Sequence, residues 1–143
     1  MPRKRDSRFD PWRLAASSGV LEGAVDPASL PRLAERVVEG AGEVAWRIVG
    51  TTDEQGRPAV RVELDGRMPL QCQRCLGIVE VEVRQRTGLL LARTEQELGD
   101  LDGESELEVT LADGPLEPLT LVEDELLLTL PYAPRHEGRC PEA

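Results

Sequence analysis

Four segments of strict two-residue alternation dominate the middle of this sequence. Val44, Trp46 and Ile48 share one parity, with Arg47 on the other. Val60, Val62 and Leu64 alternate with Arg61 and Glu63, and Val79, Val81 and Val83 alternate with Glu80, Glu82 and Arg84. Leu107, Val109 and Leu111 alternate with Glu106, Glu108 and Thr110. Successive side chains of a strand point to opposite faces, so each segment predicts a strand with one apolar and one wet face. A single wet face points to antiparallel pairing, because parallel strands are covered on both sides. Val20 to Val25 offers one further strand. Asp53 to Gly56 and Asp65-Gly66 supply turn or bulge chemistry between strands. The stretch from about Thr94 to Glu106 is acidic, polar and glycine-containing, and reads as a loose surface loop.

Helical signals flank the alternating region. Asp10-Pro11 joins a capping carboxylate to a residue suited to the first helical position, and Ser17-Ser18-Gly19 closes a short helix. Asp26-Pro27 repeats the signal. The helix it opens would place Leu30, Leu33, Ala34, Val37 and Val38 on one side and end at Gly40. Glu117 to Leu130 is the third helix, with Pro118 at its start and Pro131 just past its end. Its apolar residues fill most of the circumference and are interrupted by Glu123, Asp124 and Glu125. Such a helix must be covered on two sides, by sheet and tail or by another protein. The expected fold is α+β: an antiparallel sheet of about five to seven strands, curled toward a barrel, with two or three helices.

A chain of 143 residues is long enough for one domain with a real core. With 40% apolar but only 3% aromatic residues, that core must be aliphatic. The net charge of −10 repels nucleic acid phosphates and favours basic partners, or serves solubility alone. Residues 1–8 form a basic arm ahead of a single domain at residues 9–143. The arm is followed by no hydrophobic run of the secretory kind, and no apolar stretch approaches the ~20 residues that cross a bilayer. Three cysteines, an odd number, fit a reducing compartment better than a disulfide framework.

Those cysteines carry the sharpest chemical signal. Cys72-Gln73-Arg74-Cys75 lies between two alternating segments, where a tight turn can aim two thiolates at one ion. His136 and Cys140, with three residues between them, form a second ligand pair. Four such ligands suit a tetrahedral, structural Zn²⁺. Pro131 and Pro134 keep the connecting segment extended, able to return to the sheet. The pairs are far apart in sequence, so only the fold can join them. A redox dithiol and inert cysteines are the alternatives. A thioredoxin-like pair opens a helix, whereas Cys75 leads into a strand. Nothing else suggests catalysis: Ser17, Ser18, Ser29 and Ser105 lie in no nucleophile motif, and no glycine-rich phosphate loop occurs.

The pattern Leu70-x-Cys72-x-x-Cys75-Leu76, then Leu121-Val122-Glu123-Asp124-Glu125-Leu126-Leu127-Leu128-x-Leu130-Pro131, then Pro134, His136 and Cys140, resembles the YceD proteins. These are the large ribosomal RNA subunit accumulation proteins. Asp10-Pro11-Trp12-Arg13 is similar to the family's opening, and Leu21-x-Gly23 with Leu30-x-Arg32-Leu33-x-Glu35 extends the likeness. The resemblance implies a bacterial, cytoplasmic factor needed for normal levels of 23S ribosomal RNA, and not an enzyme. Family members of the enterobacterial kind continue past the last cysteine into an acidic stretch and a basic end. This sequence stops at Ala143, which puts any job done by such a tail in doubt here.

Three functions from different classes follow. In the first, a ribosome-biogenesis factor acts through protein contacts. Its acidic sheet face, its acidic loop and the Glu123-Asp124-Glu125 triplet would meet a basic ribosomal or assembly protein. In the second, the chain binds ribosomal RNA directly through Arg3, Lys4, Arg5, Arg8 and Arg13, with only Phe9, Trp12, Trp46 and Tyr132 to stack on bases. In the third, Cys72 and Cys75 make a thiol oxidoreductase. The first is the expectation, with Zn²⁺ as structural cofactor and no membrane partner.

Overall fold

A computed structural model of the chain describes residues 8–38, 42–131 and 133–141. Residues 1–7 of the basic arm expected at 1–8, the helix stop at Gly40 and the aromatic Tyr132 lie outside them.

Alternation becomes strand. The strands β1 (Val20–Val25), β2 (Glu43–Thr52), β3 (Pro58–Gln71), β4 (Ile78–Ala92) and β5 (Glu108–Leu111) form one sheet in that order. β1 to β4 pair antiparallel, whereas β5 runs parallel to β4 along Leu89–Ala92. Parallel pairing needs a long return connection, and residues 93–107 provide it. The sheet is open and does not curl into a closed barrel.

One face of the sheet is aliphatic. Val44, Ile48, Val60, Val62, Leu64, Met68, Leu70 and Val83 are buried there. They pack in one cluster with Ala15, with Leu30, Leu33 and Val37, and with Leu121, Val122 and Leu126. These covering residues come from α1 (Pro11–Ser17), from the segment before β2, and from α3 (Pro118–Thr129). α1 forms as its signals predict: Asp10 accepts hydrogen bonds from the Trp12 and Arg13 N–H groups, and Ser18 closes the helix at φ 52. The helix lies hard against Gly50 of β2, where a Cβ would stand 1.9 Å from the Leu14 carbonyl oxygen.

Besides the parallel β5, whose alternation points to antiparallel pairing, four expectations are corrected. The helix expected from Asp26 to a stop at Gly40 is, over the described residues up to Val38, one 3-10 turn, Pro27–Ser29, followed by turns at 31–36. Pro31 has no N–H and its ring would clash with the carbonyl four residues earlier, and Leu30 before it is extended. Asp65-Gly66 neither turns nor bulges: β3 runs through it, with Gly66 paired to Val44 and Val83. A Cβ at Gly66 would meet the Glu43 carbonyl oxygen at 2.2 Å, so glycine there answers to the closeness of β2. The loop at residues 94–106 contains a helix, α2 (Glu95–Leu101), which lies against β4 and β5. Thr94 caps it by accepting from the Glu97 N–H, and the Glu97 carboxylate accepts from the Arg93 N–H.

The fourth correction concerns the outer face of the sheet, which is not uniformly acidic. Glu22, Arg47, Glu63 and Arg86 follow one another across four strands in register. Arg47 reaches Glu22 and Glu63 at 3.5 Å each, and Arg61 reaches Glu63 at 2.7 Å. The Arg61 guanidinium holds the Glu63 carboxyl below its usual range, against the opposing effect of burial. This face is a lattice of alternating sign.

Candidate metal centre

The turn between β3 and β4 is six residues of tightly bonded backbone. The Cys72 N–H donates to the Gly77 carbonyl at 2.7 Å and the Leu76 N–H donates to the Cys72 carbonyl at 2.9 Å. Leu76 takes a left-handed φ of 65, which a β-carbon disfavours and which folds the loop back on itself. Cys72 is buried beneath the loop and Cys75 is exposed on it.

The tail returns to this loop as an extended segment. The Gln73 N–H donates to the Pro134 carbonyl and the Arg74 guanidinium to the Gly138 carbonyl, each at 2.7 Å. Gly138, at φ 68, makes the turn that brings Cys140 back beside His136. Cys72, Cys75, His136 and Cys140 thereby converge, with one ligand atom from each lying within 4.8 Å of the others. The Cys72 and Cys140 sulfurs are 3.8 Å apart, and the Cys75 sulfur is 3.7 Å from His136 Nδ1. A tetrahedral ion bonded at ~2.0–2.3 Å sets its ligands roughly 3.3–3.8 Å apart. The sulfur–sulfur distance is far beyond the ~2.05 Å of a disulfide, and all three cysteines are free.

Electrostatics and orientation fit the same chemistry. Burial works against ionising Cys72, but backbone hydrogen bonds from Cys75, Arg74 and His136 outweigh it and bring the thiol down to about 5. Burial, then the neighbouring Cys72 and Cys75 sulfurs, push the Cys140 thiol up to about 11. A cation among them would relieve that crowding of negative charge. His136 Nε2 lies 3.0 Å from the Ile78 carbonyl, which can only accept. That contact calls for a proton on Nε2, so in the neutral ring the Nδ1 lone pair faces the Cys75 sulfur and is free to bind an ion. The four side chains can hold a metal ion.

The model of one protein family, the Large ribosomal RNA subunit accumulation protein YceD, matches residues 60–143. The chain belongs to the YceD family. The YceD match takes in the Cys72–Cys75 loop, α3 and the returning tail, so all four ligand residues fall inside it. α1, β1 and β2 precede it, including the Asp10-Pro11-Trp12-Arg13 opening. The YceD description ties the chain to accumulation of the large ribosomal RNA subunit, and names no catalysed reaction. No solved structure matches the chain. No described helix is long and apolar enough to cross a membrane.

The acidic triplet of α3 faces two ways. Glu123 and Glu125 are each only 4% exposed, whereas the Asp124 side chain keeps 47% of its surface in solvent. Glu123 accepts hydrogen bonds from the Arg32 and Leu33 N–H groups and from the Arg32 guanidinium. Glu125 accepts from the Gln85 amide, and Asp124 pairs with the outer end of Arg32. Leu128, by contrast, is 67% exposed. Sequence reasoning placed Arg32 and Arg74 only as members of motifs, without the roles they take here, and it missed the Ile78 carbonyl. A basic residue inside the cysteine pair was the only hint of Arg74. A backbone carbonyl leaves no trace in a sequence.

Proposed function

We propose that this chain is a non-catalytic factor of ribosome biogenesis in the bacterial cytoplasm, needed for accumulation of 23S ribosomal RNA. It acts as one YceD-like domain at residues 9–143, through contacts with a basic ribosomal or assembly protein. The observation that carries this reading is the family match over residues 60–143. What supports protein contact is the distribution of charge. Between Arg93 and Glu108 there are seven carboxylates against one arginine, and all of those carboxylates but Glu97 are exposed. A basic surface would be drawn to that pole, and phosphates would be repelled by it. Of the Glu123-Asp124-Glu125 triplet, Asp124 is the exposed member and would add to such a contact, while Glu123 and Glu125 would support it from within the fold.

In the same reading Cys72, Cys75, His136 and Cys140 hold a structural Zn²⁺. When bound, the ion supplies no reaction chemistry; all four positions are taken by protein, as in closed structural sites. The residues fasten the tail that follows α3 to the β3–β4 turn. The deciding experiment is a deletion strain, read for 23S abundance and for the ratio of large to small subunits. A shortage of 23S RNA and large subunits is expected, and normal levels would overturn the reading. Tight binding of the purified chain to ribosomal RNA with a steep salt dependence would move the role from protein contact to direct RNA recognition.

A further inference from the structure

β4 has an unpaired edge. β3 pairs one side of it from Ile78 to Leu90, whereas β5 pairs the other side only at Leu89–Ala92. Among the described residues, no strand lies against that second side from Val79 to Thr87. A groove of about 770 Å³ runs beside part of it, between Glu80, Val81 and Glu82 and the tail at Pro134 and Arg135. Free N–H and C=O groups along such an edge are a template for another strand.

The side chains indicate which strand. The edge reads Glu80-Val81-Glu82-Val83-Arg84-Gln85-Arg86, two acids and two arginines placed symmetrically about Val83. The four charged residues are exposed and share the outer face, while Val83 is buried on the inner one. Consider an identical strand laid antiparallel, with a two-fold axis through Val83. Glu80 then faces Arg86 of the second copy and Glu82 faces its Arg84, and both pairs recur across the axis. Residues directly opposite in an antiparallel pair project from the same face, so these are real cross-strand neighbours. Shifting the register by two residues sets Glu82, or Arg84, against its own equivalent. Parallel pairing in register opposes like charges throughout. Charges on an edge ordinarily guard it, and a run of one sign would do so here. This run changes sign at its centre. On the β3 side it already meets Arg67, Asp65 and Glu63 in the same alternating fashion.

We propose that β4 pairs with β4 of a second copy of this chain, antiparallel and centred on Val83, joining two sheets into one across a two-fold axis. The pairing does not rest on the ribosomal role.

The test is sedimentation of the full chain from ~1 μM to ~1 mM, a range that spans weak and moderate self-association. The mass should rise from 15.7 kDa toward twice that value. Two variants change the edge: Arg84→Glu with Arg86→Glu makes it all acidic, and Glu80→Arg with Glu82→Arg makes it all basic. Each alone should self-associate about 10- to 100-fold more weakly, since every cross-strand pair becomes repulsive. Mixed together they should form a heterodimer at least as tight as the wild-type dimer. Recovery on mixing also shows that neither variant has merely failed to fold. A wild-type chain that stays monomeric across the range overturns the proposal. So does a dimer indifferent to both variants, a mixture that does not recover, or an edge found to take a strand of a different protein instead.

Discussion

Arg32 and Glu123, 91 residues apart in the sequence, are joined twice: the Arg32 N–H and its guanidinium Nε both donate to the Glu123 carboxylate, at 2.7 and 3.1 Å. The Leu33 N–H adds a third bond at 3.1 Å. The carboxylate does for the turns after Pro31 what a capping side chain does for a helix, satisfying donors that have no local partner. It also fixes Leu30, Leu33 and Val37 over the sheet, because the segment that carries them is held to α3.

Glu123→Ala should therefore lower unfolding free energy by about 1–3 kcal/mol, through buried donors left without an acceptor. Urea unfolding measures it. Burial raises the Glu123 pKa, but the Arg32 and Leu33 N–H groups and the Arg32 guanidinium outweigh burial and hold it below the ordinary 4.5. A carboxyl depressed in the folded state contributes its full stability above the unfolded value and loses it as pH falls through the folded one. The gap in stability between wild type and Glu123→Ala should thus be constant near neutrality and begin to narrow below about pH 4.5. A gap that does not depend on pH would show that the carboxylate's charge is not what matters.

The metal centre makes a separate prediction. Purified chain should carry about one equivalent of zinc, as four closed ligands require. Chelation, or Cys140→Ser, should release the segment from Pro134 to Cys140, seen as faster amide exchange at Gln73, whose N–H bonds to the Pro134 carbonyl. The melting temperature should fall by ~5 °C or more. Equal stability with and without chelator, in metal-free protein, would return these residues to inert thiols and a solvated histidine.

Glycines separate two physical causes. At Gly66 a Cβ would press on the Glu43 carbonyl oxygen at 2.2 Å and the Val44 Cα at 2.7 Å, neither of which can move without parting β2 from β3. Gly66→Ala should destabilise by several kcal/mol, at the upper end of single substitutions. Gly99 lies inside α2, and a Cβ added there would meet nothing within 4 Å. Gly99→Ala should stabilise the chain by about 0.5–1 kcal/mol through helix propensity alone. Thermal melts of the two variants should move in opposite directions.

What could be read from the sequence was whatever is local. Alternation in Val79–Val83 or Val60–Leu64 is set by the pleat of a single strand, so it survived folding unchanged. The cap and proline at Asp10-Pro11 likewise fix a helix start by themselves. Pro31 is a local signal against a helix running on from Pro27, and the hydrophobic spacing at Leu30, Leu33 and Val37 hides it; the partner that holds the turns instead, Glu123, is remote in sequence. Thr94-x-x-Glu97 was a legible capping signature inside a stretch judged by its polarity. The signs of the sheet face depend on strand register, which puts Arg47 between Glu22 and Glu63 and cannot be read from one strand at a time. Cys72, Cys75, His136 and Cys140 were nameable from ligand type and spacing, while their convergence depended on a tail that runs back across the β3–β4 turn.

The acidic pole between Arg93 and Glu108 separates binding from folding in the proposed function. Asp100, Asp102 and Glu106 are exposed there, so replacing all three with Lys should leave the melting temperature within a few degrees of wild type. The same change turns attraction for a basic partner into repulsion, which costs several kcal/mol where the contact is close. In a deletion strain, the triple variant should fail to restore 23S RNA and large subunits although it accumulates as a folded protein. Glu123→Ala should instead fail in proportion to its loss of stability, and should recover at lower growth temperature. Gradient profiles with 23S quantification, set beside the cellular level of each variant, distinguish the two. Full rescue by the lysine variant would remove the acidic pole from the contact and leave Asp124 and the arginine-bearing sheet face as the surfaces to test next.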